Sequence, residues 1–183
     1  GEEKYRLRYS VESGTRHIQA CQSGTVLNIP KKALTLSLPD ALYQELKLSV
    51  GSAKLTVSDV RADELELDSI SGDIELDRIE ASELKIDTTS GSIRGQSLTV
   101  SELELDSVSG SVTLMGGSYE NLDFDSTSGD LTVTDAAVGE LSADTTSGSL
   151  TLGGAFETVD FDTTSGALHL TTSILPQDIS CDT

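Results

Sequence analysis

The sequence predicts an all-β fold: a single-chain parallel β-helix, or β-solenoid, with coils of about 19 residues behind an irregular N-terminal β cap. Three observations carry that prediction. Ser-Gly pairs recur at Ser71-Gly72, Ser90-Gly91, Ser109-Gly110, Ser128-Gly129, Ser147-Gly148 and Ser165-Gly166, in steps of 19, 19, 19, 19 and 18 residues. Between the pairs, apolar and polar residues alternate with the period of two that belongs to strands. Nothing in the unit has helical spacing, and aromatics make up only 4% of the chain, which implies a thin, regular interior of Leu, Ile and Val.

Residues 1 to 48 do not keep the period. Alternating runs in YRLRYSV, TRHIQAC, TVLNI, ALTLSL and LKLSV, punctuated by Pro30 and Pro39, predict a β cap that shields the first coil. Residues 49 to 183 form the repeat region, with KLTV at 54 to 57 read as an irregular entry coil. Each repeat then offers a first strand, seen as Leu65-x-Leu67, Leu84-x-Ile86, Leu103-x-Leu105, Leu122-x-Phe124, Leu141-x-Ala143, Val159-x-Phe161 and Ile179-x-Cys181. After the Ser-Gly corner comes a second, Ile74-x-Leu76, Val112-x-Leu114, Leu131-x-Val133, Leu150-x-Leu152 and Leu168-x-Leu170, with Ile93-x-Gly95 as a weakened copy. A third, less regular side is anchored by Ile79 and Ala81, Leu98 and Val100, Tyr119, Val138, Phe156 and Ile174.

If equivalent positions stack at roughly 4.8 Å, outward residues meet across rungs. Lys85 then lies between Glu66 and Glu104, Arg94 lies beside Glu75, and Thr113, Thr132 and Thr151 form a ladder ending at His169. Cys181 falls in an apolar column, which predicts a buried thiol rather than a disulfide with Cys21. SCDT at 180 to 183 begins another corner, so either the chain continues or this end is open to end-to-end self-association.

Charge narrows the function classes. Twelve Lys and Arg face 31 Asp and Glu, a net charge of −19 that repels phosphate backbones and argues against nucleic acid as a partner. No Lys or Arg follows Arg94, while 15 acidic residues do. No apolar run is long enough to span a bilayer, and GEEKYRLRYS lacks a signal-peptide pattern, although an opening Gly1 leaves room for an upstream signal or anchor.

The repeated Asp-[ST]-x-Ser-Gly corner has three chemical readings. As an aspartic-protease signature it fails, because Gly lies four residues after Asp rather than two. As a calcium cradle it offers Asp87, Asp106, Asp125 and Asp144, yet neither an EF-hand loop nor a calcium-binding nonapeptide is present. The favoured reading is a structural ladder. Asp68, Asp87, Asp106, Asp125, Asp144 and Asp162 would accept hydrogen bonds from the N–H groups that follow, and the corner Gly would turn the chain at positive φ. No zinc spacing, phosphate loop, nucleophile elbow or dinucleotide fingerprint occurs, so no catalytic residue and no cofactor are expected.

From LTLSLPDALYQELKLSVGSAKLTVSDVRADELELDSISGDIEL into the Ser-Gly units, residues 33 to 183 resemble a bacterial family of β-strand-repeat domains of unknown function that carries an adhesin label. The resemblance implies a parallel β-solenoid placed extracellularly or in the cell envelope, with no active residue to transfer. The expected function is a non-enzymatic surface or secreted binding scaffold for a protein or glycan. The alternatives are a structural spacer, an envelope-sensing ectodomain of a membrane-anchored protein, and, ranked last, a polysaccharide-acting β-helix enzyme or an ice-binding Thr array.

Overall fold

The computed structural model describes the backbone of residues 5–12, 15–22 and 33–34 and, with side chains, residues 41–182. The strand suggested in TVLNI, the part of ALTLSL after Leu34, Pro30 and Pro39, and the side chains of His17 and Cys21 lie outside the described residues. Fourteen strands are described: β1 (Tyr5–Glu12), β2 (Thr15–Gln22), β3 (Ala33–Leu34), β4 (Leu42–Val50), β5 (Lys54–Ser69), β6 (Ile74–Thr88), β7 (Ile93–Gln96), β8 (Thr99–Ser107), β9 (Val112–Met115), β10 (Ser118–Ser126), β11 (Leu131–Thr145), β12 (Leu150–Thr163), β13 (Leu168–Thr172) and β14 (Asp178–Asp182). They wind into a parallel β-solenoid of about seven turns.

Register follows the repeat. Leu65 pairs with Leu84, Leu84 with Leu103, Leu103 with Leu122, Leu122 with Leu141, Leu141 with Val159 and Val159 with Ile179. The second column runs Ile74, Ile93, Val112, Leu131, Leu150, Leu168. Slipping any strand by one residue would turn its Leu and Ile outward, so burial of one face fixes the pairing.

The repeat begins earlier than the Ser-Gly pairs do. Leu46 and Leu48 of β4 pair with Leu65 and Leu67, and Leu55 and Val57 pair with Ile74 and Leu76, all in steps of 19 residues. The KLTV segment is therefore a regular strand rather than an irregular entry. Sequence had hidden it because Ala53 takes the place of the corner glycine, directly beneath Gly72. At this end β1 and β2 form an antiparallel hairpin, and β2 joins β4 in parallel.

Core columns compensate one another in volume. On the third side, Ile79 shares its coil with the small Ala81, whereas Gly117 shares its coil with the large Tyr119. In the first column Ala143 separates the rings of Phe124 and Phe161, all three buried. Gly95, the weak copy, fits because a Cβ there would meet the side chains of Leu98 and Leu114 at 2.7 and 2.8 Å. Interdigitation at this density leaves little room for substitution.

The single 18-residue step is also explained. Val133 pairs with Leu152 but Ala136 with Gly154, a register shift that drops one residue opposite Thr134 and Asp135. Two further expectations fail at the open end. Ile174 and Cys181 are exposed, not buried; among the described residues, the last coil has a neighbour on one side only.

Candidate functional site: the aspartate groove

Each coil turns from its first strand into its second through four residues, and the turn is built by a hydroxyl rather than by the Asp. The N–H of Gly72 donates to Ser69 Oγ at 2.9 Å, Gly91 to Thr88 Oγ1 at 3.0 Å, Gly110 to Ser107 Oγ at 2.8 Å, Gly129 to Ser126 Oγ at 2.7 Å and Gly148 to Thr145 Oγ1 at 2.9 Å. Ser69, Thr88, Ser107 and Thr145 are buried and satisfied by these bonds, and the buried Thr163 accepts instead from Ser165 N at 3.3 Å. The serines of the Ser-Gly pairs face out, and Ser90, Ser109, Ser128 and Ser147 reach the coil below. Ser90 donates to the Ile70 carbonyl and Ser109 to the Thr89 carbonyl, both at 3.3 Å.

This geometry overturns the Asx reading of the corner. The N–H groups that the Asp side chains would have capped already donate to the preceding coil, Thr89 to Ser69 O at 3.2 Å and Ser90 to Ile70 O at 3.1 Å. Nor do the corner glycines need positive φ, which is found instead at Gly116, Gly117 and Gly154. They are required because coils approach too closely for a side chain. A Cβ on Gly91 would lie 2.1 Å from Gly72 O, and one on Gly110 would lie 2.0 Å from Gly91 O. The carboxylates that do cap backbone were missed: Asp73 accepts from Ser92 N at 3.1 Å and Asp130 from Ser149 N at 2.8 Å. Both directly follow a Ser-Gly pair, a signal available in the sequence.

Freed from the turn, the Asp file points into solvent. Asp68, Asp87, Asp106, Asp125, Asp144, Asp162 and Asp182 line a groove of about 1230 Å³, with the hydroxyl column at its floor and Ile70, Thr89, Val108, Thr127, Thr146 and Thr164 along its other wall. Seven carboxylates at ~4.8 Å spacing span roughly 29 Å. Ser71, Ser90, Ser109, Ser128, Ser147 and Ser165, with Gly72, Gly91, Gly110, Gly129, Gly148 and Gly166, stack at the same corner.

Positive charge reaches only one end of this groove. Lys47 binds Glu45 at 3.0 Å and also pairs with Glu66, so Lys85 is left to Glu104 at 2.5 Å and Asp106 at 3.5 Å. Arg94 sits in register beside Glu75, but the Glu75 carboxylate is held by Lys54 at 2.6 Å. Beyond Asp106 no cation pairs with the file among the described residues, and no Lys or Arg follows in the sequence. No group of three or more His, Cys, Asp or Glu among the described residues is arranged to hold a metal, Asp87, Asp106, Asp125 and Asp144 included.

Partial burial raises the pKa values of Asp68, Asp87, Asp125 and Asp162, and neighbouring carboxylates push the same way; Asp123, on the adjoining strand face, is raised for the same two reasons. A carboxyl that binds its proton more tightly folded than unfolded contributes stability below its ordinary value near 3.8, and that contribution disappears as pH rises through the raised folded value. Asp59 has the opposite sign, lowered by its hydrogen bonds to Arg78. With more groups raised than lowered, the urea midpoint is expected to increase as pH falls from about 7 toward 4, and to increase with added salt at neutral pH. A midpoint that falls steadily on acidification would show that the file is not mutually repulsive.

A family model, Toastrack DUF4097, matches residues 3–179. The chain belongs to that family. This Toastrack domain is thereby a repeat β-domain of unknown function, and the family assignment names no ligand or active residue for it. No curated protein and no solved structure matches the chain. Among the described residues, no helix is long and apolar enough to cross a membrane.

Proposed function

We propose that this Toastrack domain is a non-enzymatic binding scaffold of the cell envelope or outer surface, and that its aspartate groove takes an extended cationic partner, a basic peptide segment or an aminated glycan. The observation that carries this reading is the groove itself: one carboxylate and one hydroxyl per coil, repeated along the rod, with no cation at its C-terminal half. A repeated unit binds a repeated ligand. Each exposed ion pair is worth only ~0.2 to 1 kcal/mol, so several rungs must engage together before binding becomes appreciable. The adhesin role and the surface location implied by the family resemblance fit such a surface. An enzyme acting on acidic polysaccharide would instead require basic side chains beside the substrate, and the groove is anionic throughout.

Binding of poly-L-lysine and of chitosan oligomers to the immobilised protein tests the reading, with heparin as the anionic control. Asp125→Asn/Asp144→Asn/Asp162→Asn is expected to weaken binding by roughly tenfold, the sum of three modest pairs. Glu102→Gln/Glu120→Gln/Glu140→Gln removes the same charge from exposed positions outside the groove and should leave binding nearly unchanged. Equal losses in both variants, or no binding of either cationic polymer, would remove the groove as the site.

A further inference from the structure

The wall opposite the Asp file changes character along the rod. It is threonine at Thr127, Thr146 and Thr164, but Ile70 and Val108 stand in the same column, 65% and 50% exposed, with the exposed Thr89 between them. The corner does not require these apolar side chains. Ile70 and Val108 hold the coil below through N–H bonds of 3.3 and 3.2 Å, and Thr127 and Thr146 make the same bonds at 3.3 and 3.2 Å. A lone exposed Ile is ordinary, whereas two apolar residues in one column of one groove make a strip ~10 Å long. The carboxylates divide at the same point. Asp68, Asp87 and Asp106 are half-buried beside the column that holds Lys47 and Lys85, and Lys85 reaches Asp106 at 3.5 Å. Asp125, Asp144 and Asp162 are exposed, and the adjoining column there holds Asp123, Ser142 and Asp160. One half of the groove thus offers apolar surface and partly balanced charge, the other hydroxyls and uncompensated anionic charge.

We propose that the occupant of the groove is a two-part peptide, its apolar residues lying over Ile70 and Val108 and its basic residues over Asp125, Asp144 and Asp162. This rests on the groove reading above and narrows it to one of the two ligand classes. An aminated glycan presents the same group at every sugar and has no apolar block to offer the Ile70 end, whereas a peptide changes from apolar to basic within one chain. Extended chain rises ~3.3 Å per residue, so the apolar strip takes about three residues and the exposed carboxylates about three more. A segment of six or seven residues therefore spans both. The basic block draws the peptide in from a distance, and the apolar block, once out of water, slows its release. Because the two halves of the groove differ, they also fix which end of the peptide lies where: a basic block over Ile70 would meet carboxylates that Lys47 and Lys85 already partly balance.

Isothermal titration calorimetry with short synthetic peptides tests it. The probes are three leucines joined to four lysines, in both orders; the same peptides with serine for leucine; and an alternating peptide of the same leucine and lysine content. One order of the leucine block peptide is expected to bind about tenfold more tightly than its serine counterpart, and the alternating peptide several-fold more weakly than the block. Ile70→Thr/Val108→Thr gives this half of the wall the residues of the other half, so the corner is kept. It should remove most of the tenfold advantage and leave binding of the serine peptide unchanged. Asp125→Asn/Asp144→Asn/Asp162→Asn should weaken both peptides. If that variant weakens neither, the groove reading falls and this inference with it. If it weakens both, but leucine and serine peptides bind alike or the leucine advantage survives in Ile70→Thr/Val108→Thr, the apolar assignment is overturned while the groove reading stands. Chitosan oligomers that bind more tightly than the block peptide would likewise overturn the choice of a peptide over a glycan.

Discussion

Gly110→Ala is expected to destabilise the domain by about 3 kcal/mol, roughly 6 to 12 °C in Tm for a chain of this size. The added Cβ would lie 2.0 Å from Gly91 O and 3.2 Å from Ser107 Oγ, so either the coils separate or the corner loses its hydroxyl bond. Gly91 O is a backbone atom that cannot swing aside, and the coil above is also tight, since a Cβ on Gly129 would lie 2.3 Å from Gly110 O. Gly51→Ala is the matched control. It lies at the first corner with nothing within 4 Å of the new methyl, and should be almost neutral. Urea unfolding of the two variants checks the difference. A Gly110→Ala protein as stable as wild type would mean that the glycines are kept for flexibility rather than for close approach.

Phe124→Ala is expected to cost ~3 to 5 kcal/mol, the usual penalty for emptying a ring-sized space in a core that cannot collapse. Phe124 is fully buried between Leu105 below and Ala143 above. Ile179→Ala, in the last coil of the same stack, should cost under about 1 kcal/mol because half of its surface already meets water. The contrast separates a solenoid from a domain with one central core. Losses that are equal at the two positions would indicate that the terminal coil is covered by something not belonging to the domain.

Much of this architecture was legible because a solenoid stacks equivalent residues, so a period read along the chain is also a distance in space. The pairing of Leu65 with Leu84, and so on to Ile179, follows from counting. What counting could not supply is the chemistry of the turn. Asp and Gly dominate the eye in Asp-[ST]-x-Ser-Gly, yet the working contact is the hydroxyl three residues before the glycine, at Ser69, Thr88 and Ser107. The kinks at Asp59, Arg78, Ser97, Gly116 and Asp135 have positive φ in one column at steps of 19 residues, but Asp, Arg, Ser and Gly share no letter pattern to reveal them. Burial of Cys181 was misjudged for a different reason: membership of an apolar column ensures burial only where a neighbour lies on both sides. The groove itself was half visible. Its acidic file could be read off, while its floor of buried hydroxyls depended on knowing that the Asp side chains do not close the corner.

Pulsed electron-electron resonance between spin labels on one wall of the groove tests the stacking most directly. In a background with Cys21 and Cys181 replaced by Ser, labels at Ile70 paired in turn with Thr127, Thr146 and Thr164 occupy equivalent, exposed positions three, four and five coils apart. Parallel stacking predicts mean separations near ~14, 19 and 24 Å, rising by ~4.8 Å for each coil added. Separations that fail to rise in even steps, or that exceed these values by tens of ångströms, would show that successive repeats do not lie rung upon rung.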